Sequence, residues 1–115
     1  VDPTASIASG VLVFSGVTIG AHVTVKMGAL LYNNVVLSHD IQVGECSYLS
    51  PAVAISGNVN IGKYNFWGTS SCAADGITTG DSVQVAIGGV VTSDLAENQV
   101  LRPQKCHVST KRLNL

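Results

Sequence analysis

Apolar and polar residues alternate along this chain with a strict period of six. Stepping from Ile7 by sixes gives Ile7, Val13, Ile19, Val25, Leu31, Leu37, Val43, Leu49, Ile55, Ile61, Trp67, Ala73, Thr79, Val85 and Val91, of which twelve of fifteen are Val, Ile or Leu. Two residues before each of these anchors lies a second set, including Val11, Val17, Val23, Val35, Ile41, Val53, Val59 and Val83, that is mostly small or β-branched. Two inward positions with one outward position between them describe a short strand. β-branched residues suit such a strand. The residue after the anchor is often small, as at Gly20, Ser38, Gly44, Ser56, Gly62, Gly68 and Gly80, which reads as the place where the backbone turns. Six residues thus supply one strand and one corner. A helical period of 3.6 cannot stay in step with six, which excludes an α-helical reading. Strands this short bury nothing alone and must stack on copies of themselves, as in a solenoid.

The pattern fades after Val91, and the following stretch carries four of the six Lys and Arg residues together with Pro103. Residues 1–96 are expected to form the solenoid, and residues 97–115 a tail that caps its open end, partly extended and closing in a short helix. Trp67 is large for an inward position and is expected to plug the core or to widen the coil.

Composition narrows the function. The 115 residues are enough for one domain with a modest core. A net charge of -1 with 11% charged residues gives no reason to expect nucleic acid or an anionic membrane surface as a partner. No apolar run approaches the ~20 residues of a membrane helix. The opening VDPTAS has neither an initiator Met nor a basic-then-apolar leader, and reads as a fragment or processed chain. Cys46, Cys72 and Cys106 are odd in number and irregular in spacing, and read as small buried or half-buried thiols in a reducing compartment.

His39 and Asp40 are the candidate chemistry. They fall at a corner, two and three residues past the anchor Leu37, and so point outward. In the left-handed parallel β-helix that this hexapeptide pattern resembles, a coil has three strands, so the neighbours of His39 eighteen residues away are Ala21 and Gly57, and Asp40 stacks between His22 and Asn58. A corner accepts any solvated polar residue. A histidine beside a carboxylate, with a backbone N–H one rung away at Gly57 left open by the missing side chain, instead supplies a base and an oxyanion donor.

The stretch SHDIQVGECSYLSPAVAISGNVNIG resembles the hexapeptide-repeat acyltransferases, closest to the sialic acid O-acetyltransferases and nucleotide-amino-sugar N-acetyltransferases. The elements that carry the likeness are His39-Asp40, Val43-Gly44 and Gly57-Asn58-Val59-Asn60-Ile61-Gly62. The resemblance implies a left-handed parallel β-helix of about five coils with three sides per coil. It implies a cytoplasmic homotrimer using acetyl-CoA, without a metal, to acylate an amine or hydroxyl of a small acceptor such as a nucleotide sugar. It makes His39 the general base, oriented by Asp40, with the Gly57 N–H on the thioester carbonyl. CoA contacts are implied at Gly68, Ala74, Ala86 and Gly88. Tyr48 stands where the family often has a second histidine, and it and His22 are candidates to touch substrate. The tail segment RPQKC replaces the family's usual G-x-P-A, and VDPTAS resembles the opening of the β-helix domain alone. Two other classes share this fold. One is a scaffold that binds without chemistry. The other is a zinc hydratase, which needs three histidine ligands, whereas His22 and His39 lie on neighbouring rungs and His107 in the tail.

Overall fold

The computed structural model describes residues 1–112. Among them, fifteen strands of two residues recur every six positions from Ser6–Ile7 to Val90–Val91, and a sixteenth follows at Val100–Leu101. Every pairing is parallel. In the repeat region it joins residues eighteen apart, as in Thr24 with Gln42 and Val36 with Ala54. Three sheets result, and the chain visits them in turn. The outward residues of the first are Ser6, Thr24, Gln42, Asn60 and Thr78. Those of the second are Leu12, Leu30, Tyr48, Phe66, Gln84 and Val100. Those of the third are Thr18, Val36, Ala54, Cys72 and Val90. The molecule is therefore a three-sided parallel β-solenoid of about five coils, as the resemblance to the hexapeptide-repeat β-helix implies.

The inward columns form one continuous core. Leu31, Leu37, Val43, Leu49, Val53 and Trp67 are all fully buried. Trp67 stacks between Leu49 and Val85, and its coil accommodates it because the facing inward residues, Ser71 and Ala73, are small. Four inward positions are polar: Ser47, Asn65, Ser71 and Thr79. Each is hydrogen-bonded, as burial demands. Asn65 Nδ2 donates to the carbonyls of Lys63 and Gly80 at 3.1 and 2.9 Å, and Asn65 Oδ1 accepts from Thr79 Oγ1 at 2.8 Å.

The turning of the corners differs from the sequence expectation. The residue just after the anchor does not adopt a left-handed conformation. The third residue after it does, at every sixth position from Gly10 to Gly88, including His22, Asp40 and Asn58 at φ of +56°, +51° and +59°. The small residue after the anchor answers a different constraint. A Cβ on Gly44 would run into the backbone of Gly62, one coil on. Coils stacked at strand spacing leave no room for a side chain pointing along the axis.

The ladder also extends past the fading of the repeat. Val100–Leu101 adds to the second sheet beside Gln84–Val85, and the Leu95 N–H donates to the Thr78 carbonyl at 3.2 Å. Among residues 102–112 there is neither strand nor helix. The helix expected at the end of the tail falls in part on residues 113–115, outside the described residues.

Candidate active site

The corner between the third and first sheets carries His39. Val36–Leu37 delivers the chain to it and Gln42–Val43 carries the chain away. The rungs of the corner are fixed by backbone hydrogen bonds. Asp40 N–H donates to the Ala21 carbonyl at 2.9 Å, Asn58 N–H to the His39 carbonyl at 3.1 Å, and Gly76 N–H to the Gly57 carbonyl at 3.0 Å. Both side chains of the pair are about half exposed, at 52% and 50%, so their positions answer no packing demand of the core.

His39 Nδ1 lies 2.9 Å from Asp40 Oδ2. A carboxylate there takes the Nδ1 proton in a hydrogen bond and leaves the Nε2 lone pair free as a base. The imidazole lies against Gly57 of the next coil. A methyl group at Gly57 would overlap Cε1 and Nε2 of the ring. Gly57 is therefore glycine because the histidine occupies the space where its side chain would be. The Gly57 N–H, expected to be open to a ligand, donates instead to Asp75 Oδ1 at 2.9 Å. Asp75 lies on the same edge of the prism as His39, two coils beyond it. A carboxylate eighteen residues beyond a glycine amide was the available signal.

His22 lies one rung below Asp40. Together with Thr24, Asp40, Gln42, Asn58 and Asn60 it lines an open polar groove of about 400 Å³ along the first face. Ala74 sits on the His39 corner two coils above Ser38, and is exposed. Gly68, Ala86 and Gly88 lie on the other edge of the third face. A Cβ on Gly68 would meet the backbone of Ala86 and Ile87, and Gly88 has φ +66°, so both glycines have reasons within the solenoid itself.

Tyr48 is not brought to His39 within one chain. It projects from the second face, across the prism from the His39 corner. There it joins a row of rings running Phe14, Tyr32, Tyr48, Phe66, with successive centroids 4.5, 4.8 and 5.1 Å apart. Hydrogen bonding with Tyr32 holds the Tyr48 phenol above its ordinary 10.0, with burial acting in the same direction, so it stays protonated near neutral pH and is no base. Cys46 and Cys106 are exposed and Cys72 half-buried, all as free thiols. Cys46 differs from the buried expectation because it occupies a left-handed corner position, φ +56°, with its side chain outside. Among the described residues no three His, Cys, Asp or Glu side chains converge as a metal site, and no helix is long and apolar enough to cross a membrane.

No protein-family model matches the chain, and no curated protein matches it in sequence. Solved structures do. The acetyltransferase domain of PglB from Neisseria gonorrhoeae superposes with a TM-score of 0.73 at 23% identity, over 85% of this chain and 51% of that one. GDP-perosamine N-acetyl transferase from Caulobacter crescentus, in a mutant complex with CoA and GDP-perosamine, gives 0.73 at 29% identity, over 85% and 50%. PerB from the same organism, with the same two ligands, gives 0.63 at 30% identity over the same shares. The chain thus spans about half the length of these relatives. Over that half it has the solenoid of the sugar N-acetyltransferases.

Proposed function

We propose that this chain, built on the solenoid of the sugar N-acetyltransferases, is itself an acetyl-CoA-dependent acetyltransferase acting on the amine or hydroxyl of a sugar. The observation that carries the proposal is the His39–Asp40 pair, with Nδ1 engaged at 2.9 Å and Nε2 held over Gly57. The likeness to enzymes solved with CoA and GDP-perosamine supports the choice of substrates. Acetyl-CoA as co-substrate also favours a cytoplasmic setting.

In this reading Nε2 of His39 accepts the proton of the acceptor amine or hydroxyl as that atom attacks the thioester carbonyl carbon. Asp40 holds the imidazolium that forms. The tetrahedral oxyanion takes the Gly57 N–H. Collapse breaks the carbon–sulfur bond, and the imidazolium returns its proton to the departing CoA thiolate. The acceptor lies in the polar groove, where His22, Gln42, Asn58 and Asn60 offer hydrogen-bonding groups to sugar hydroxyls. CoA lies along the third face, whose outward residues Ala54 and Cys72 are small, with Ala74 at its near edge and Gly68, Ala86 and Gly88 at its far edge.

The working unit is a homotrimer. An exposed corner neither excludes water nor grips two substrates. The second face is apolar, with Leu12 and Phe66 53% and 46% exposed, and suits a contact with the His39 corner of the next copy. That contact would bring the Tyr48 of one subunit toward the His39 of another.

Calorimetry with acetyl-CoA, followed by an assay of amino sugars and nucleotide amino sugars as acceptors, tests the reading. Acetyl-CoA is expected to bind, and at least one acceptor to be acetylated. A protein that binds no acetyl-CoA and acetylates no acceptor would instead be a non-catalytic scaffold.

A further inference from the structure

The amide assigned to the thioester oxygen already has a partner. Gly57 is buried, and its N–H donates to Asp75 Oδ1 at 2.9 Å. One N–H serves one acceptor at full strength, so the carboxylate stands where an acyl oxygen would stand. It cannot remain during the reaction, because the single N–H would then be shared between two negatively charged oxygens, which repel each other. Asp75 is exposed, so its carboxylate can turn into water and recover its hydrogen bonds there. Resting on the acetyltransferase reading, we propose that Asp75 is a positioning residue. It holds the Gly57 N–H in the absence of acyl-CoA and yields it to the thioester oxygen on binding.

A comparison within the molecule separates this role from simple support of a corner. Asp81 accepts the Lys63 N–H at 2.9 Å across the same eighteen residues, at the corner that leads from the first face to the second, away from His39. If such carboxylates only brace corners, loss of either has the same consequence. If Asp75 competes for the oxyanion donor, its loss favours acetyl-CoA, which carries a carbonyl oxygen, over free CoA, which does not.

Calorimetry on the full chain with acetyl-CoA and with CoA reads this as a ratio of dissociation constants. Asp75→Ala is expected to tighten acetyl-CoA relative to CoA by ~3–10-fold, the range of one hydrogen bond released from competition. Asp75→Asn keeps an oxygen acceptor without the charge. It is expected to shift the ratio in the same direction by less, and it carries the test should the alanine variant fold poorly. Asp81→Ala is expected to leave the ratio unchanged. An unchanged ratio in both Asp75 variants, or an equal shift in Asp81→Ala, overturns the role of Asp75 and leaves the acetyltransferase reading intact. If the unaltered protein binds neither acetyl-CoA nor CoA, the acetyltransferase reading fails and this inference fails with it.

Discussion

At the scale of single residues, His39 and Gly57 make one feature out of two coils. The ring needs the space that the glycine leaves, and in the proposed reaction the glycine amide would meet the substrate beside the ring. Gly57→Ala should therefore keep the fold, because the displaced object is an exposed ring. It should lower turnover by ~10²-fold, the cost of an ångström-scale misplacement of a catalytic group. His39→Ala should lower turnover by ~10²–10⁴-fold with the melting temperature unchanged, since general-base catalysis contributes that much and the half-exposed residue supports no core. Asp40→Asn, which loosens only the orientation of the imidazole, should cost less. His22→Ala should cost little beyond weaker acceptor binding, read as a rise in KM for the acceptor. Full turnover in His39→Ala would reduce the corner to a solvated turn. Tyr48→Phe should leave the shape of the pH profile unchanged up to about pH 9, because a phenol raised above 10.0 does not titrate there.

At the scale of the strand and corner, stability depends on stacked columns rather than on any one strand. Val53 is fully buried and sits between Val35 and Ser71 in its column. Val53→Asp would place an unpaired charge among aliphatic side chains, at a cost of several kcal/mol, and should abolish the cooperative melt seen by circular dichroism. Retention of the original melting temperature would mean that the inward register is misplaced. That register was legible in the sequence because every sixth residue meets the same inward demand, and so was the outward corner that carries His39 and Asp40. Three features were not. The glycines after the anchors are small because of the coil above, a contact eighteen residues away that mimics a turn requirement in one dimension. The inward Asn65 and Thr79 satisfy each other across coils, which no local pattern reveals, although an inward Asn two residues from the only Trp hinted at it. Asp75 meets Gly57 only through the stacking of whole coils, so its partner could be named only after the coils were counted.

At the scale of the whole molecule, the two surfaces that matter face away from each other. The corner with His39 and Asp40 looks out between the polar first face and the small-residue third face, while the aromatic row and the exposed Leu12 and Phe66 occupy the second. The proposed cyclic trimer would resolve this, because each second face would then meet the neighbouring corner through a heterologous contact that closes after three copies. Light scattering of the unaltered protein at micromolar concentration should give three times the 11.8 kDa chain mass. Phe66→Asp, which puts a charge at the middle of the apolar face, should give monomers that keep the melt of the solenoid but lose turnover, although His39 and Asp40 are untouched. Mixing provides the sharper test. Take His39→Ala and Phe66→Asp chains, each inactive alone, and refold them together. Mixed trimers contain junctions at which an intact corner faces an intact second face, and turnover should return in part. If a site needs only its own chain, the Phe66→Asp monomers would already be active and mixing would add nothing. A monomeric unaltered protein with full turnover would eliminate the shared site altogether.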